Sequence, residues 1–144
     1  MKFEFKELSE KRDILSTYRI YKDCMYMPTE EKFNKKAEGF LKADNVKILA
    51  CLSEQEIKGV VVASFLETGA IRIIGIAVEL SSRKAGVGSY MVKRIMNDFM
   101  PSSIIAETDI DAVGFYKKCG FNVVEFTENY GGESVVRYKC ELKR

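Results

Sequence analysis

The residues with the clearest chemical signal are 83–89, RKAGVGS, at the start of a predicted helix. Two cations precede Gly86 and Gly88, although a glycine within a helix costs about 1 kcal/mol relative to alanine. The first N–H groups of a helix have no intrahelical partner and lie at the positive end of its dipole. Glycines there let an anion approach the backbone closely, so the segment predicts a phosphate site.

Two well-known phosphate motifs are excluded at this segment. A P-loop needs a Lys and then Ser or Thr after its second glycine, whereas Ser89 and Tyr90 follow Gly88. The dinucleotide fingerprint G-x-G-x-x-G/A needs a small residue where Met91 stands. A nucleotide-binding domain is therefore disfavoured, while close helix–strand packing remains an alternative explanation for the two glycines.

The amino-acid composition limits the acid–base and metal chemistry. The 144 residues include no histidine, which excludes His-based triads and the common catalytic zinc sites. Proton transfer must then use Asp, Glu, Tyr, Cys, Lys, a terminus or water. The four cysteines are widely spaced without a C-x-x-C pair, so we expect reduced thiols and no metal; they are Cys24, Cys51, Cys119 and Cys140.

Two motifs together indicate a family. RKAGVG matches R/Q-x-x-G-x-G/A, and residues 109–121, DIDAVGFYKKCGF, match N-x-x-A-x-x-x-Y-x-x-x-G-F, except that Asp109 replaces the Asn. In these motifs the sequence resembles the GCN5-related N-acetyltransferase (GNAT) family. The resemblance implies one α/β (α+β) domain over residues 1–144. Its sheet would be mixed and mostly antiparallel, with about seven strands flanked by about four helices.

The resemblance also implies where acetyl-CoA, the expected co-substrate, would bind. The main chain of a central strand would pair with the pantetheine arm, and the loop before the helix would wrap the pyrophosphate. Asp109 lies at a cofactor-adjacent position, but it offers no N–H donor and is equally suited to cap a helix. The expected cofactor-binding residues are Ile76, Ala77, Val78, Arg83, Lys84, Ala85, Gly86, Val87, Gly88, Ser89 and Asp109.

Tyr116 occupies the position of the family's general acid, near the thioester sulfur. A phenol can protonate or hydrogen-bond a departing thiolate, although the alternative is a core residue with its hydroxyl at the edge. The family's direct transfer needs no covalent cysteine, so Cys119 is expected to pack in the core.

A general base is less clearly indicated. The segment IRIIGIAV, residues 71–78, contains no carboxylate, and the nearest candidates are Glu79 and Glu107. Both are more readily explained as ordinary surface or structural glutamates, because most Glu residues are solvated.

Acceptor specificity is expected in two loops, KDCMYMPTEE at 22–31 and TENYGGE at 127–133, because loops carry specificity on such scaffolds. Aromatic and apolar side chains there would wall a pocket, and carboxylates would attract a cationic amine. The wall candidates are Tyr26, Met27 and Tyr130, and the carboxylates are Glu30, Glu31, Glu128 and Glu133.

Hydrophobic periodicity predicts the elements that position these residues. Alternation over residues 2–8 predicts a strand, and Ser9 is expected to cap a helix reaching Met25. Pro28 and Thr29 would start the next helix, in which Phe33, Ala37 and Leu41 form the apolar stripe. The remaining predictions are strands at 46–53, 57–67, 70–78, 103–107, 121–127 and 133–142, and helices at about 84–100 and 109–119. Residues 73–78 are apolar on both faces, which predicts a strand covered on both sides.

Charge and hydropathy narrow the class of partner. A net charge of +2 argues against a dedicated nucleic-acid or membrane-surface binder. No run of 18 apolar residues is present, and the first thirteen residues lack a signal-peptide core. We therefore expect a cytoplasmic monomer or homodimer that transfers acetyl from acetyl-CoA directly to a small-molecule or peptide primary amine. The alternative is a non-catalytic acyl-CoA-binding module of the same fold.

Overall fold

A single seven-stranded sheet organises the protein. The computed structural model describes residues 2–144, and its strand order is β1-β2-β3-β4-β5-β7-β6. Only β4 and β5 run parallel; the other neighbouring strands are antiparallel. This confirms the predicted mixed, mostly antiparallel sheet. The strands are β1 Glu4–Leu8, β2 Val46–Ser53, β3 Glu56–Phe65, β4 Ile71–Val78, β5 Ser103–Thr108, β6 Asn122–Tyr130 and β7 Glu133–Lys143.

The helices follow the prediction except at the first one, which is divided, and at the last one, which begins later than expected. The α-helices are α1 Lys11–Leu15, α2 Tyr18–Tyr21, α3 Glu30–Lys42, α4 Val87–Phe99 and α5 Val113–Lys118, with 3-10 turns at Lys22–Cys24 and Leu80–Ser82. A continuous helix from Ser9 to Met25 was expected, and that prediction is wrong.

Two hydroxyls account for the break between α1 and α2. Ser16 donates to the Asp13 carbonyl and Thr17 to the Ile14 carbonyl, each at 2.6 Å. Such side-chain bonds compete with the helical backbone pattern. The predicted Ser9 cap is also wrong, because α1 begins at Lys11 and its cap position is Glu10.

Local capping signals were otherwise reliable. The Thr29 hydroxyl accepts from the Lys32 N–H at 3.1 Å, as its position before α3 predicted. The β6–β7 turn is only Gly131 and Gly132, both with positive φ, so β6 extends to Tyr130.

Leu41 is 41% exposed, which corrects its assignment to the buried stripe of α3.

The sheet has a different layer on each face. One core lies between the sheet and helices α4 and α5, here called the α4–α5 face, and includes Ile73, Met91, Ile104 and Tyr116. The other core lies under helices α1, α2 and α3, the α1–α3 face, and includes Tyr21, Phe33, Val62 and Ala77. The described residues of this second core come from β1 to β4 and the three helices, so the β5–β7–β6 half of this face is open.

A bulge in β4 changes which side chains face each layer. Ile73 pairs with Ala63 and Gly75 pairs with Val62, so Ile74 is the extra residue of the strand. Ile74 is 43% exposed. The prediction that residues 73–78 are covered on both sides is therefore wrong at Ile74.

A gap between β4 and β5 is the feature that positions the site. The two strands pair only at Ile71 with Ile104 and at Arg72 with Ile105. Beyond these pairs residues 73–78 keep β3 on one side, while β5 pairs onward with β7. We call the opening between residues 73–78 and residues 106–108 the β4–β5 gap.

Candidate active site

The main chain of β4 presents hydrogen-bonding groups to the β4–β5 gap. The Glu79 N–H donates to the Lys58 carbonyl of β3 at 2.8 Å. Backbone groups alternate in direction along a strand, so Ala77 also pairs with β3, whereas Ile76 and Val78 point away from it. The peptide groups of Ile76 and Val78 therefore face the gap, where a further extended chain can pair with them.

The first turn of α4 lies at the same end of β4. A side chain at Gly59, the β3 partner of Val78, would meet Val87 at 2.7 Å. The first helical bond of α4 runs from the Tyr90 N–H to the Gly86 carbonyl at 2.9 Å. The N–H groups of residues 87–89 consequently have no intrahelical partner, and the positive end of the helix dipole lies beside the gap.

The two glycines of the motif are needed for different structural reasons. Gly86 has φ +85° and open space around its Cα, so its backbone conformation requires glycine. A Cβ at Gly88 would lie 2.6 Å from the ring of Phe115, so this glycine allows α4 to pack on α5. Packing, the alternative explanation, accounts for Gly88 but not for Gly86.

The two cations of the motif also differ. Arg83 donates to the Asp23 carboxylate at 2.8 Å and to the Val78 carbonyl at 3.2 Å. It therefore ties the 3-10 turn Lys22–Cys24 to the loop that precedes α4. Lys84 and Ala85 are exposed, and Lys84 has φ +71°.

Asp109 caps the chain before α5. Its carboxylate accepts from the N–H groups of Asp111 and Ala112 at 3.0 and 3.1 Å. The helix itself starts later than the sequence predicted, at Val113. The capping alternative thus accounts for Asp109 within the structure.

Tyr116 of α5 brings a hydroxyl to the gap. The residue is 5% exposed, and its ring packs edge-on against Phe115 and Phe121, with centroids 5.2 and 5.1 Å away. Its hydroxyl has no hydrogen-bond partner among residues 2–144, although it is not sealed from solvent. Burial, more than the neighbouring Cys140, Cys24 and Cys119, raises the pKa of Tyr116, which keeps the phenol protonated.

Tyr21 and Cys24 approach the gap from the opposite face. Cys24 belongs to the segment 22–31 in which acceptor specificity was expected, although the sequence singled out neither residue for the site. A Cβ at Gly75 would collide with the Tyr21 hydroxyl, so the missing side chain makes room for it. The Cys24 thiol donates to the Tyr21 carbonyl at 3.2 Å and adjoins the Tyr21 hydroxyl and the Ile76 main chain. Glycine within an apolar strand was the available signal for such a close approach.

The gap connects the two faces of the sheet. Tyr116 belongs to the core of the α4–α5 face and Tyr21 to the core of the α1–α3 face. Burial is the main cause of the raised pKa of Tyr21, but Cys24 and Tyr116 also contribute to it. Groups on opposite faces of a closed sheet would be separated by its backbone, so Tyr21, Cys24 and Tyr116 must meet through the opening.

Comparison with known proteins identifies the family. The sequence model described as "Acetyltransferase (GNAT) family" matches residues 14–121. The chain belongs to the GNAT family of acetyltransferases. The predictions of this family and of an acyltransferase are thereby confirmed. No curated protein sequence matches the chain.

Solved structures share the fold of this GNAT acetyltransferase at low sequence identity. An acetyltransferase from Bacillus subtilis in complex with CoA has 18% identity and a TM-score of 0.71, covering 99% of both chains. The ribosomal-protein-S18-alanine N-acetyltransferase from Escherichia coli has 13% identity and a TM-score of 0.74, covering 99% of this chain and 94% of its own. A mutant spermidine N-acetyltransferase from Vibrio cholerae has 11% identity and a TM-score of 0.75, covering 98% and 93%.

The two candidate carboxylates of this GNAT acetyltransferase lie in different surroundings. Glu79 accepts from the Ser81 hydroxyl and pairs with Arg19 at 3.4 Å and Lys58 at 3.9 Å. These contacts, the Ser81 bond foremost, lower the pKa of Glu79, so it is a weak base. Glu107 is exposed on β5, where it borders a shallow concavity of about 310 Å³ beside β4, with Arg72, Ile73 and Ile74.

The predicted acceptor loops are only partly brought together. Tyr130 donates to Glu128 at 2.7 Å, and this bond is the main cause of its raised pKa, to which Glu107 also contributes. The β6–β7 turn is thus near Glu107. Tyr26 and Met27 are 87% and 65% exposed, while Glu30 and Glu31 lie on the outside of α3 and Glu133 is the first residue of β7.

Two further observations concern metals and membranes. Among residues 2–144, no cluster of three or more His, Cys, Asp or Glu side chains is arranged to hold a metal ion. None of the helices in that range is long and apolar enough to cross a membrane.

Proposed function

We propose that this GNAT acetyltransferase transfers acetyl from acetyl-CoA directly to a primary amine. The observation that carries the proposal is the β4–β5 gap. The peptide groups of β4 that face away from β3 and the N–H groups of residues 87–89 line one side of it, and the Tyr116 hydroxyl lies next to it. Acetyl-CoA has three parts that would match these groups. Its thioester would lie beside the Tyr116 hydroxyl, its amide-containing arm along β4, and its pyrophosphate at the N–H groups of residues 87–89.

The main chain would bind acetyl-CoA. The peptide groups of Ile76 and the N–H of Val78 would pair with the amides of the pantetheine arm, as an added strand does, while the Val78 carbonyl accepts from Arg83. The N–H groups of residues 87–89 and the helix dipole would receive the pyrophosphate, with Lys84 adding positive charge. Ala85 and Gly86 shape this loop, while Arg83 would support it through Asp23. The relative from Bacillus subtilis in complex with CoA supports the choice of ligand.

The Ile76 N–H and Tyr116 would serve the chemical step. As the amine nitrogen attacks the acetyl carbon, negative charge develops on the carbonyl oxygen, which the Ile76 N–H would stabilise. The C–S bond then breaks and the amine proton ends on the CoA sulfur. An alkyl thiol has a pKa of about 8.5, below that of Tyr116. Tyr116 would therefore stabilise the leaving thiolate chiefly as a hydrogen-bond donor.

The acceptor would enter from the α1–α3 face, where the β5–β7–β6 half of the sheet is open. Glu107 and Glu128 lie on that side and would attract a cationic amine. The two relatives named for ribosomal-protein alanine and for spermidine support an amine acceptor. Because Glu79 is held by three partners, Glu79→Gln should leave kcat unchanged, whereas Glu107→Gln should raise the KM for a cationic amine. Steady-state kinetics of both variants checks this.

Thermal unfolding tests the binding half of the proposal. Acetyl-CoA that binds only the folded state must stabilise it, by about 2.7 kcal/mol at one hundred times Kd. Gly86→Glu should abolish the rise in Tm because it places a carboxylate and a strained backbone at the start of α4. Gly69→Glu is the matched control, since Gly69 has φ +92° and lies at the opposite end of β4. An equal rise in both variants would contradict the proposal.

Release of free CoA thiol in the presence of a broad amine panel tests the catalytic half. Amine-dependent release by the wild type supports an enzyme. Binding without release for any amine favours the non-catalytic acyl-CoA-binding module instead.

A further inference from the structure

Charged side chains lie on the uncovered half of the sheet, where β5, β7 and β6 have no helix over their α1–α3 face. Cys140 of β7 packs in the core of the opposite face, and side chains alternate between faces along a strand, so Arg137 and Lys139 lie on the uncovered side. Residues paired in register share a face, which places Glu107 of β5 and Phe126 of β6 beside them. The open face, as we call this surface, comprises Glu107, Phe126, Glu128, Tyr130, Arg137 and Lys139.

Arg137 carries a buried donor that has no hydrogen-bond partner. Its side chain is 27% exposed, but the Nε atom is shielded from solvent and bonds to nothing among residues 2–144. The carboxylate that approaches it belongs to Glu128, with 4.0 Å between Oε2 and Nε, which is too far for a hydrogen bond. Buried polar groups, charged ones above all, are normally hydrogen-bonded. The Nε–H of Arg137 therefore needs an acceptor that the chain does not supply.

The neighbours of Arg137 on the open face have other partners. The Glu128 Oε2 atom, the same one that lies 4.0 Å from Arg137, accepts from the Tyr130 hydroxyl at 2.7 Å. The Lys139 ammonium lies over the Phe126 ring, 5.1 Å from its centroid. Because Phe126 belongs to β6, Lys139 turns away from β5 and from Glu107. The open face thus leaves a cation at Arg137 and an anion on β5 that are both available to a ligand.

The open face connects Arg137 to the β4–β5 gap. Glu107 borders the gap on β5, and β7 is the next strand outward. The direct partner of Glu107 is Lys139, so Arg137 is its diagonal neighbour, and such pairs are about 7–8 Å apart. A ligand that reaches from the gap to Arg137 must therefore be several covalent bonds long.

We propose that Arg137 binds a carboxylate of the acceptor, so that the preferred acceptor is an ω-amino acid, an amine with a carboxylate several bonds away. The inference rests on the proposed function, because it names the class of amine that the acceptor side takes. A guanidinium offers parallel N–H groups that match the two oxygens of a carboxylate. The amine end lies near Glu107 at the gap, and the carboxylate supplies the acceptor that the Nε–H of Arg137 lacks.

Steady-state kinetics with 6-aminohexanoate and its amide, 6-aminohexanamide, test the inference. The two compounds share the amine and the carbon chain and differ in the charge at the far end. In the wild type we expect kcat/KM to be about 10- to 100-fold higher for the acid, as for a hydrogen bond to a charged group. Arg137→Gln should bring this ratio close to one, chiefly by raising the KM for the acid. Arg137→Lys should keep only part of the ratio, because an ammonium lacks the planar fork.

Lys143→Gln is the matched control for the loss of one positive charge. Lys143 lies on the same face of β7 as Arg137, but it pairs with Ser103 at the other end of β5. This variant should keep the wild-type ratio of kcat/KM values. A ratio lowered equally in Lys143→Gln and Arg137→Gln would show that the net charge of the face, and not Arg137, selects the acceptor, and would overturn the inference.

NMR of the Arg137 side chain gives a readout that needs no turnover. The Nε–H signal of Arg137, identified by its loss in Arg137→Lys, is followed in the wild type in the presence of CoA. It should shift on addition of 6-aminohexanoate and stay in place with 6-aminohexanamide. An unchanged signal with both compounds would show that water or Glu128 satisfies this N–H, and would overturn the inference.

The outcomes separate this inference from the proposed function. Turnover of both compounds with equal kcat/KM in the wild type overturns the inference and leaves the proposed function intact. A shift of the Arg137 signal with the acid alone, but no release of CoA thiol from acetyl-CoA with any amine, supports the carboxylate site and overturns the proposed transfer.

Discussion

The two sides of the β4–β5 gap are built from different parts of the chain. On the side proposed to hold the cofactor, the available groups besides the Tyr116 hydroxyl are main-chain ones, the peptide of Ile76, the N–H of Val78 and the N–H groups of residues 87–89. On the acceptor side they are side chains from distant segments, among them Tyr21, Cys24 and Glu107. Backbone groups bind a ligand whatever the side chains are, so one co-substrate can be kept while the acceptor varies.

One ion pair joins the two sides. Arg83, from the loop before α4, bonds to Asp23, which directly precedes Cys24. The loop proposed to hold the pyrophosphate is thus tied to the turn that carries the acceptor-side thiol.

Tyr116→Phe should have the largest effect, because it removes the one hydroxyl proposed to act from the cofactor side. We expect kcat to fall by about 10- to 1,000-fold, within or near the range of general acid catalysis, with the acetyl-CoA Kd unchanged. Tyr18→Phe, whose ring packs on Phe33 with centroids 5.4 Å apart, is the matched control and should retain kcat. If Tyr116→Phe keeps full kcat while chemistry limits the rate, Tyr116 serves only packing.

Alkaline pH should lower the free energy of unfolding through two buried tyrosines, one on each side of the gap. Tyr21 and Tyr116 are 3% and 5% exposed, and burial raises the pKa of each above the ordinary value of 10.0. The unfolded state therefore loses these protons first, so the stabilisation is complete below pH 10 and is lost as the pH rises further. The slope is about 1.4 kcal/mol per pH unit for each tyrosine.

Urea unfolding between about pH 8 and 11 measures this loss. Tyr21→Phe and Tyr116→Phe should each make the profile shallower. A profile that stays flat through pH 11 in the wild type would show that neither phenol is held protonated by the fold.

Gly88→Ala separates helix packing from anion binding. Its Cβ would lie 2.6 Å from the ring of Phe115, and overpacking of this kind costs about 1–3 kcal/mol. Phe115→Leu in the same chain should relieve the contact and restore stability. If main-chain N–H groups bind the pyrophosphate, the rise in Tm with acetyl-CoA should return with it. Restored stability without that rise would mean that the ligand itself needs glycine at this position.

Asp23→Asn should have the smallest effect. Arg83 and Asp23 side chains are 47% and 44% exposed, and such pairs contribute at most about 1 kcal/mol. We expect a small loss of unfolding free energy together with weaker acetyl-CoA binding, since the loop before α4 loses its support. Glu31→Gln breaks an exposed pair with Lys35 on α3 and should change only stability. Isothermal titration of both variants decides whether the two sides are coupled.

The cofactor side was more predictable from the sequence than the acceptor side. The strands β2 to β4 and helix α4 follow from local periodicity and short turns, and Gly86 marks a backbone conformation that few other residues adopt. The break after α1 arises because the Ser16 and Thr17 hydroxyls bond to carbonyls of the preceding turn. The regular apolar spacing of this segment predicts a continuous helix and gives no sign of those bonds. Ile74 is exposed because of a bulge whose register is set by pairing with β3.

Tyr21 was missed for a related reason, and Cys24 was included only as part of the acceptor segment 22–31. The helical spacing of Tyr21 is typical of a core residue, and Tyr21 is indeed buried. Tyr21 and Cys24 come close to Tyr116 only because the sheet is open between β4 and β5. That opening depends on the pairing of strands far apart in the sequence, which local patterns do not predict. The untested expectations about oligomeric state and cellular location stay predictions.

A crystal structure with acetyl-CoA would show whether the main chain around the β4–β5 gap binds this co-substrate. We expect the pyrophosphate at the N–H groups of residues 87–89 and the pantetheine arm paired with Ile76 and Val78. The thioester carbonyl should face the Ile76 N–H, with Tyr116 beside the sulfur. A pyrophosphate bound away from the start of α4, or an arm that leaves the free edge of β4 unpaired, would contradict it.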